Sequence, residues 1–128
     1  MVPGCVDACD AESLAWYAAT GLPLLAWAAQ SVGYFNDSWD AGAEPDFVVA
    51  TYDSPGNRER RVRARQLAQR IGATPNQVAL AWVLAQGCGP IALAGARDVA
   101  GIRDAMAAAN IELSDADRDW LATGVASA

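Results

Sequence analysis

Apolar residues recur at helical spacing over much of the chain, and polar residues punctuate these segments. The spacing predicts helices over residues 11–20, from 55 to about 71, 78–86, 98–109 and from 114 to near 124. Each segment follows a residue whose side chain can cap a helix N-terminus, namely Asp10, Ser54, Thr74, Asp98 and Ser114. The strongest local signal is Thr74-Pro75-Asn76-Gln77, which fits a capping box with proline at the first helical position.

Two continuous apolar runs separate these helices. Residues 22–28 (LPLLAWA) and 90–94 (PIALA) predict parallel strands that helices cover on both faces. Trp27 and Trp82 are accordingly predicted to be core residues. Residues 47–52 (FVVATY) fit either a short strand or part of a long loop. The alternating order predicts a parallel α/β sheet. Two strands leave two unpaired edges, so further strands must lie outside this chain or come from another copy.

The amino-acid composition excludes more kinds of catalytic and binding chemistry than any motif does. The 128 residues are enough for one domain, predicted over 1–128, and a 53% hydrophobic share argues against disorder. The chain has nine Arg against fifteen Asp or Glu, with no Lys and no His. It therefore has no imidazole base, no His-ligated metal, no Schiff base and no phosphate-loop lysine. A net charge of −6 makes nucleic acid and anionic membranes poor partners.

Three other features bear on partners and location. Arg58, Arg61 and Arg65 share one helical face, but no aromatic residues interleave with them, so we expect a solvated outer face rather than a nucleic-acid site. The uncharged stretches 13–36 and 71–96 are interrupted by Gly and Pro, so no membrane span is predicted. Three cysteines without C-x-x-C spacing, and a start without a basic segment, predict a cytoplasmic protein with neither a disulfide framework nor a metal site.

Several ordered segments resemble the C-terminal part of the aldo-keto reductase family. They are LPLLAW at 22–27, QSVGYF at 30–35, RQLA at 65–68, IGATPNQVALAWVL at 71–84, GAR at 95–97 and IELS at 111–114. The resemblance runs from Ala15 to Leu121. It implies a partial (β/α)8 TIM barrel, of which this chain forms roughly the last two βα units with C-terminal helices.

The resemblance also implies where the chemistry of the family resides. Its catalytic Asp, Tyr, Lys and His come from the first half of the barrel, so no catalytic residue is assigned here. What matches is the NADP(H) side of the site. The loop after the first run is expected along the pyrophosphate, with Gln30, Ser31 and Gly33 as contacts.

The loop after the second run is expected near the 2′-phosphate and adenine. Gly95, Ala96 and Arg97 match that loop, and Asp104 matches an acidic position on the following helix. Four departures weaken the expected binding. Ala28 stands where the family often has Ser, and Asp98 stands where Ser or Thr is usual. Gly101 replaces a usual Gln or Arg, and Ala105 replaces a usual Asn. We therefore expect NADP(H) binding that is weak or absent.

Three interpretations follow. The chain is part of a split or partial NADP(H)-dependent reductase, inactive without an N-terminal barrel half. Alternatively, it is a non-catalytic α/β module that binds another protein or self-associates. In the third interpretation it is a fragment of a longer reading frame, with Met1 an internal or misassigned start.

Overall fold

Helices make up most of residues 10–125, the part of the chain that the computed structural model describes. The α-helices are α1 (Ala11–Thr20), α2 (Asp46–Tyr52), α3 (Pro55–Ile71), α4 (Pro75–Leu84), α5 (Val99–Ala107) and α6 (Asp115–Thr123). Two short strands, β1 (Leu25–Ala26) and β2 (Ile91–Ala92), lie between them. Single 3-10 turns occupy Ser31–Gly33 and Ala108–Asn110.

The predicted helix starts are confirmed. Asp10, Ser54, Asp98 and Ser114 each accept a backbone N–H of the first helical turn. Thr74 forms the full capping box, because the Gln77 N–H donates to Thr74 Oγ1 and the Thr74 N–H donates to Gln77 Oε1, both at 3.1 Å. These contacts involve residues three positions apart, which explains why local sequence predicts them well.

The two strands pair in parallel, but they are shorter and more exposed than predicted. Leu25 lies opposite Ile91 and Ala26 opposite Ala92. Ala26 and Ala92 pack against helices, whereas Leu25 is 57% and Ile91 51% exposed. A continuous apolar strand requires cover on both faces. Residues 10–125 cover only one face of the two strands, so the expectation that the strands are fully buried is wrong for the described part of the chain.

The core consists of two clusters between helices. The first joins α3, α4 and α6 through Ala64, Leu67, Ala68, Val78 and Leu121. The second joins α4 and the α5 region to the end of the β1 run through Ala29, Leu80, Ala105 and Ala108. Most members are small, which lets the helices approach closely. The second cluster packs β2 and the start of the segment that follows β1 against α4 and the α5 region.

Two further expectations are corrected. Residues 47–52 lie in helix α2, which follows Pro45. Val48, which is 2% exposed, is the buried residue of this helix. The β-branched run is therefore misleading, since Thr51 instead donates to the Phe47 carbonyl in helical geometry, at 2.6 Å. Trp27 is 86% exposed rather than part of the core. Within residues 10–125, no helix has both the length and the apolar character that a membrane crossing requires.

Candidate functional site

The loops that follow the two strands form one groove. Parallel strands end at the same edge of a sheet, so the β1 loop (residues 27–45) and the β2 loop (residues 93–98) are adjacent. The Gly95 N–H donates to Gln30 Oε1 at 3.1 Å and links them directly. Between the loops and the N-terminal part of α5 is a groove of about 1210 Å³. This volume exceeds the roughly 300–1,000 Å³ of closed small-molecule sites, as expected for an open groove.

The structure brings together most of the residues predicted to contact a cofactor. Six of the seven line the groove, namely Gln30, Gly33, Gly95, Ala96, Arg97 and Asp104. Ser31 does not, because it lines a separate cavity on the other side of the β1 loop. Gln30 and Ser31 are consecutive, yet Gln30 lines the groove and Ser31 lines the separate cavity.

The turn that begins the β1 loop has an unusual backbone. Ala28, Ser31 and Val32 have φ values of 53°, 49° and 54°, and Gly33 has 81°. Left-handed conformations are costly for non-glycine residues, particularly for β-branched valine, and they concentrate at functional sites. Glycine suits position 33 because of this φ; a Cβ there would come within 2.9 Å only of Asn36 Nδ2, the end of a side chain that can move aside. The turn is shaped by hydrogen bonds from Ser31 N to the Ala28 carbonyl at 2.7 Å and from Gly33 N to the Gln30 carbonyl at 2.9 Å.

Asp104 is an acceptor for three side chains at the start of α4. Its carboxylate oxygens lie 3.0 Å from Thr74 Oγ1, 3.1 Å from Asn76 Nδ2 and 2.8 Å from Gln77 Nε2. Asn76 is only 4% exposed. Asp104 therefore ties α5 to the capping box of α4, while also lining the groove. The sequence alone gave no indication of this structural role.

The charges in the groove are predominantly negative. Arg97 is the only basic residue of the lining, against Glu44, Asp98 and Asp104. Arg97 forms no ion pair within residues 10–125, although Asp98 and Asp104 line the same groove. Asp98 caps α5 through a 2.8 Å bond from the Gly101 N–H to its Oδ1. Only Arg97 offers a side-chain charge that attracts phosphate.

Two departures from the family pattern have packing reasons. At Gly101 a Cβ would lie 2.7 Å from the Cβ of Ala96, so the absent side chain lets α5 approach the β2 loop. Ala105 is buried in the second core cluster with Ala29 and Leu80. Neither position has a polar side chain to offer to a ligand.

Arg61 fixes the outer part of the β1 loop to α3. Its guanidinium lies 5.5 Å from the Tyr34 ring centroid and 5.1 Å from that of Trp39. Its Nη2 donates to the carbonyls of Asn36 at 2.8 Å and Trp39 at 3.2 Å. Burial lowers the pKa of this guanidinium, although the arginine stays charged at any physiological pH. Cation–π contact with two rings favours the planar arginine over lysine here.

The neighbouring arginines on the same face are also bound to other residues. Arg58 donates to both carboxylate oxygens of Asp53, at 2.9 and 2.7 Å, and Arg65 donates to Asp37 at 3.0 Å. The Tyr34 hydroxyl donates to Asp53 at 3.1 Å. Hydrogen bonds from Arg58 lower the pKa of Asp53, and burial raises the pKa of Tyr34 to about 12. The expectation of a merely solvated face is therefore corrected, because this face anchors the β1 loop and its neighbouring segment.

Two remaining expectations concern metals and aromatic residues. Within residues 10–125, no group of three or more acidic or cysteine side chains could hold a metal ion. Trp27, at the end of β1, exposes its ring at the groove. Trp82 is partly buried against the first core cluster, and its indole N–H donates to the Arg118 carbonyl at 3.1 Å, as suits a core residue.

Comparison with known protein families identifies the class of protein. Residues 7–122 match the model of the aldo/keto reductase family, and the chain therefore belongs to that family. Membership implies a (β/α)8 barrel architecture and oxidoreductase ancestry, and the family generally uses NADP(H). Comparisons with curated proteins and with solved structures gave no match.

Proposed function

We propose that this chain is the C-terminal, cofactor-binding portion of an NADP(H)-dependent carbonyl reductase barrel, comprising roughly its last two βα units. The observation that carries the proposal is the meeting of the β1 and β2 loops across the Gln30–Gly95 hydrogen bond. Barrel enzymes bind phosphates at the loops that follow their seventh and eighth strands. The exposed sheet supports the same conclusion, because Leu25 and Ile91 present apolar surface to strands and helices outside residues 10–125.

The groove fits a nicotinamide dinucleotide in shape more closely than in charge. The turn at 28–33 and the β2 loop both contribute to the lining, and Arg97 can pair with a phosphate. The exposed ring of Trp27 offers a flat surface for stacking a planar group. Three carboxylates against one arginine oppose the 2′-phosphate that distinguishes NADPH. We therefore expect affinity no tighter than about millimolar, with NADPH bound no better than NADH.

The catalytic proton donor and its supporting residues would come from outside this chain. With no Lys and no His in its 128 residues, the chain has neither of the groups that support the tyrosine acid in this family. Of its three tyrosines, Tyr34 is buried and donates to Asp53, which removes it from consideration as a proton donor to a substrate. The role proposed for this chain is to bind and orient the cofactor.

A second candidate function is supported by the exposed apolar surface of the sheet. Leu25, Trp27, Ile91 and Leu93 are all at least 45% exposed and lie on two adjacent segments. Such patches on soluble proteins mark interaction surfaces. The alternative is a non-catalytic module that self-associates or binds another protein through this surface.

Calorimetric titration with NADPH and NADH tests the cofactor proposal. Replacing Asp98 by serine keeps a capping side chain for α5 and removes one negative charge from the groove. Without screening, the Asp98 carboxylate and a 2′-phosphate about 5 Å apart would repel by roughly 3 kcal/mol. Water and salt reduce this repulsion to about 1 kcal/mol, so we expect Asp98→Ser to shift the preference toward NADPH by about fivefold. Asp115→Ser, which removes a charge from the exposed first turn of α6, is the matched control and should leave the preference unchanged.

Either of two results would contradict the expected weak affinity or the placement of the phosphate beside the β2 loop. Micromolar NADPH binding by the parent chain would show that the groove charges do not face the phosphate. Measurable binding with an unchanged preference in Asp98→Ser would show that the β2 loop does not hold it. The module alternative instead predicts no dinucleotide binding by either the parent chain or the variant.

A further inference from the structure

A second cavity lies apart from the groove. It occupies about 300 Å³ between α3, α4, α6 and the inner side of the β1 loop, and it shares no lining residue with the groove. Its walls are mainly apolar, contributed by Phe35, Trp82, Val83 and Leu121. A volume of 300 Å³ equals that of roughly ten water molecules at liquid density, which is ample for a small organic ring.

The polar groups of this cavity are few and all but one are uncharged. Ser31 and Asn57 contribute a hydroxyl and an amide, and Arg60 is the only charged residue of the lining. Arg60 donates from Nη1 to Asn57 Oδ1 at 2.9 Å and from Nε to the Ala122 carbonyl at 3.3 Å. These bonds hold the guanidinium at the cavity.

Arg60 also lacks an anionic partner within residues 10–125. Five other arginines form ion pairs, namely Arg58, Arg63, Arg65, Arg70 and Arg118. Arg60 is held only by neutral acceptors, so its positive charge is not balanced by a carboxylate of this chain. A partly open apolar cavity, with one exposed guanidinium that its hydrogen bonds orient, suits a ligand that has an apolar body and one anionic end.

We propose that this cavity binds a compact carboxylate with an aryl or branched alkyl body. The body would occupy the space between Phe35, Trp82 and Leu121, and the carboxylate would accept hydrogen bonds from Arg60. Ser31 belongs to the same turn as Gln30, so the bound molecule would contact the back of the groove wall. The site is independent of the cofactor proposal, because none of its residues lines the groove.

The test uses 4-ethylbenzoate as a probe and its neutral isostere 4-ethylbenzamide as the comparison. Binding is followed by nitrogen-edited NMR of the full chain, through the indole N–H signal of Trp82, which a Trp82→Phe sample assigns. We expect a saturable shift of that signal with 4-ethylbenzoate. Affinity for 4-ethylbenzamide should be about three- to tenfold weaker, because a charge-assisted bond to the guanidinium is lost.

Two variants locate the site. Ala79→Leu fills the cavity from α4 and should abolish the saturable shift, whereas Ala100→Leu, the same change at an exposed position of α5, should not. Arg60→Gln retains a good helix former and should weaken 4-ethylbenzoate to the affinity of the amide. Absence of a saturable Trp82 shift in the parent chain would overturn the proposal. So would undiminished binding by Ala79→Leu, or equal affinity for the acid and the amide.

Discussion

Replacing Asp104 by alanine should destabilise the chain in the absence of any cofactor. Asp104 accepts hydrogen bonds from Thr74, Asn76 and Gln77, which together form the start of α4. An alanine at this position leaves all three donors without their acceptor. These bonds join the N-terminal part of α4 to α5, and apolar packing in the second core cluster joins the same two helices independently.

The expected loss in the free energy of unfolding depends on how exposed each of the three donors is. Asn76 is 4% exposed, so its amide cannot regain water and costs about 1–3 kcal/mol when left unpaired. Thr74 and Gln77 lie nearer the surface, and each should lose about 0.5 kcal/mol. The total is about 2–4 kcal/mol of the 5–15 kcal/mol that stabilises a typical domain. The melting temperature should fall by about 10 °C.

Urea unfolding followed by circular dichroism measures this effect. Asp104→Asn keeps one acceptor oxygen and should lose roughly half as much free energy as Asp104→Ala. Glu112→Ala, which removes an exposed carboxylate with no bond to another side chain in the described chain, is the control and should change the free energy of unfolding by less than about 0.5 kcal/mol. If Asp104→Ala is as stable as that control, Asp104 has no structural role and its carboxylate is free for a ligand.

Four other predictions rest on the same structure. The isolated chain should not reduce aldehydes or ketones, because it has no Lys and no His; steady NADPH consumption above a boiled control would contradict this. The chain should associate through its exposed strands, and Leu25→Glu should reduce the mass seen by light scattering, since edge charges block strand pairing; a sharp monomer peak for the parent would refute it. The Asp53 pKa is lowered on folding by Arg58, so its contribution to stability is present above its unfolded pKa and is lost as pH falls through the folded value. Asp53→Asn should therefore flatten the acid limb of a plot of urea midpoint against pH, and an equally steep limb would count against the pairing. The pKa of Tyr34 is raised to about 12, so its contribution is present below pH 10 and disappears as pH rises toward 12, which Tyr34→Phe should abolish in the alkaline limb of the same plot.

Local chemistry made the helices predictable. Caps such as Asp10, Ser54 and Thr74 bond to residues three positions away, so a short window of sequence contains the whole interaction. The glycines that end α1 and α3, Gly21 and Gly72, are equally local, because a left-handed φ is needed at those positions.

Longer-range features were only partly predictable. The apolar runs indicated strands, but they did not show that Leu25 and Ile91 are exposed, because exposure depends on which distant segments cover the sheet. The spacing of Arg58, Arg61 and Arg65 predicted that they share one helical face. It did not predict that this face binds the β1 loop, because Asn36 and Asp37 lie 25 and 28 residues away from their arginine partners. Spacing shows which side chains share a face and does not show what that face meets.

Groove residues were predicted from family resemblance rather than from chemistry. Gln30 and Gly95 are 65 residues apart, and nothing in their identity indicates that one bonds to the other. Ser31, which lies in a turn with several left-handed residues, lines the second cavity rather than the groove, and its contact with a cofactor stays a prediction.

A nitrogen-edited NMR titration of the labelled chain with NADPH tests the central claim most directly. Weak binding does not hinder this measurement, because amide signals report ligands even at about millimolar affinity. We predict saturable shifts of the backbone amides of Gly33, Gly95, Ala96 and Arg97, with unchanged signals from α6, which lies away from the groove. Shifts confined to residues outside the groove, or no saturable shift at all, would contradict the account of this chain as the cofactor side of a reductase barrel.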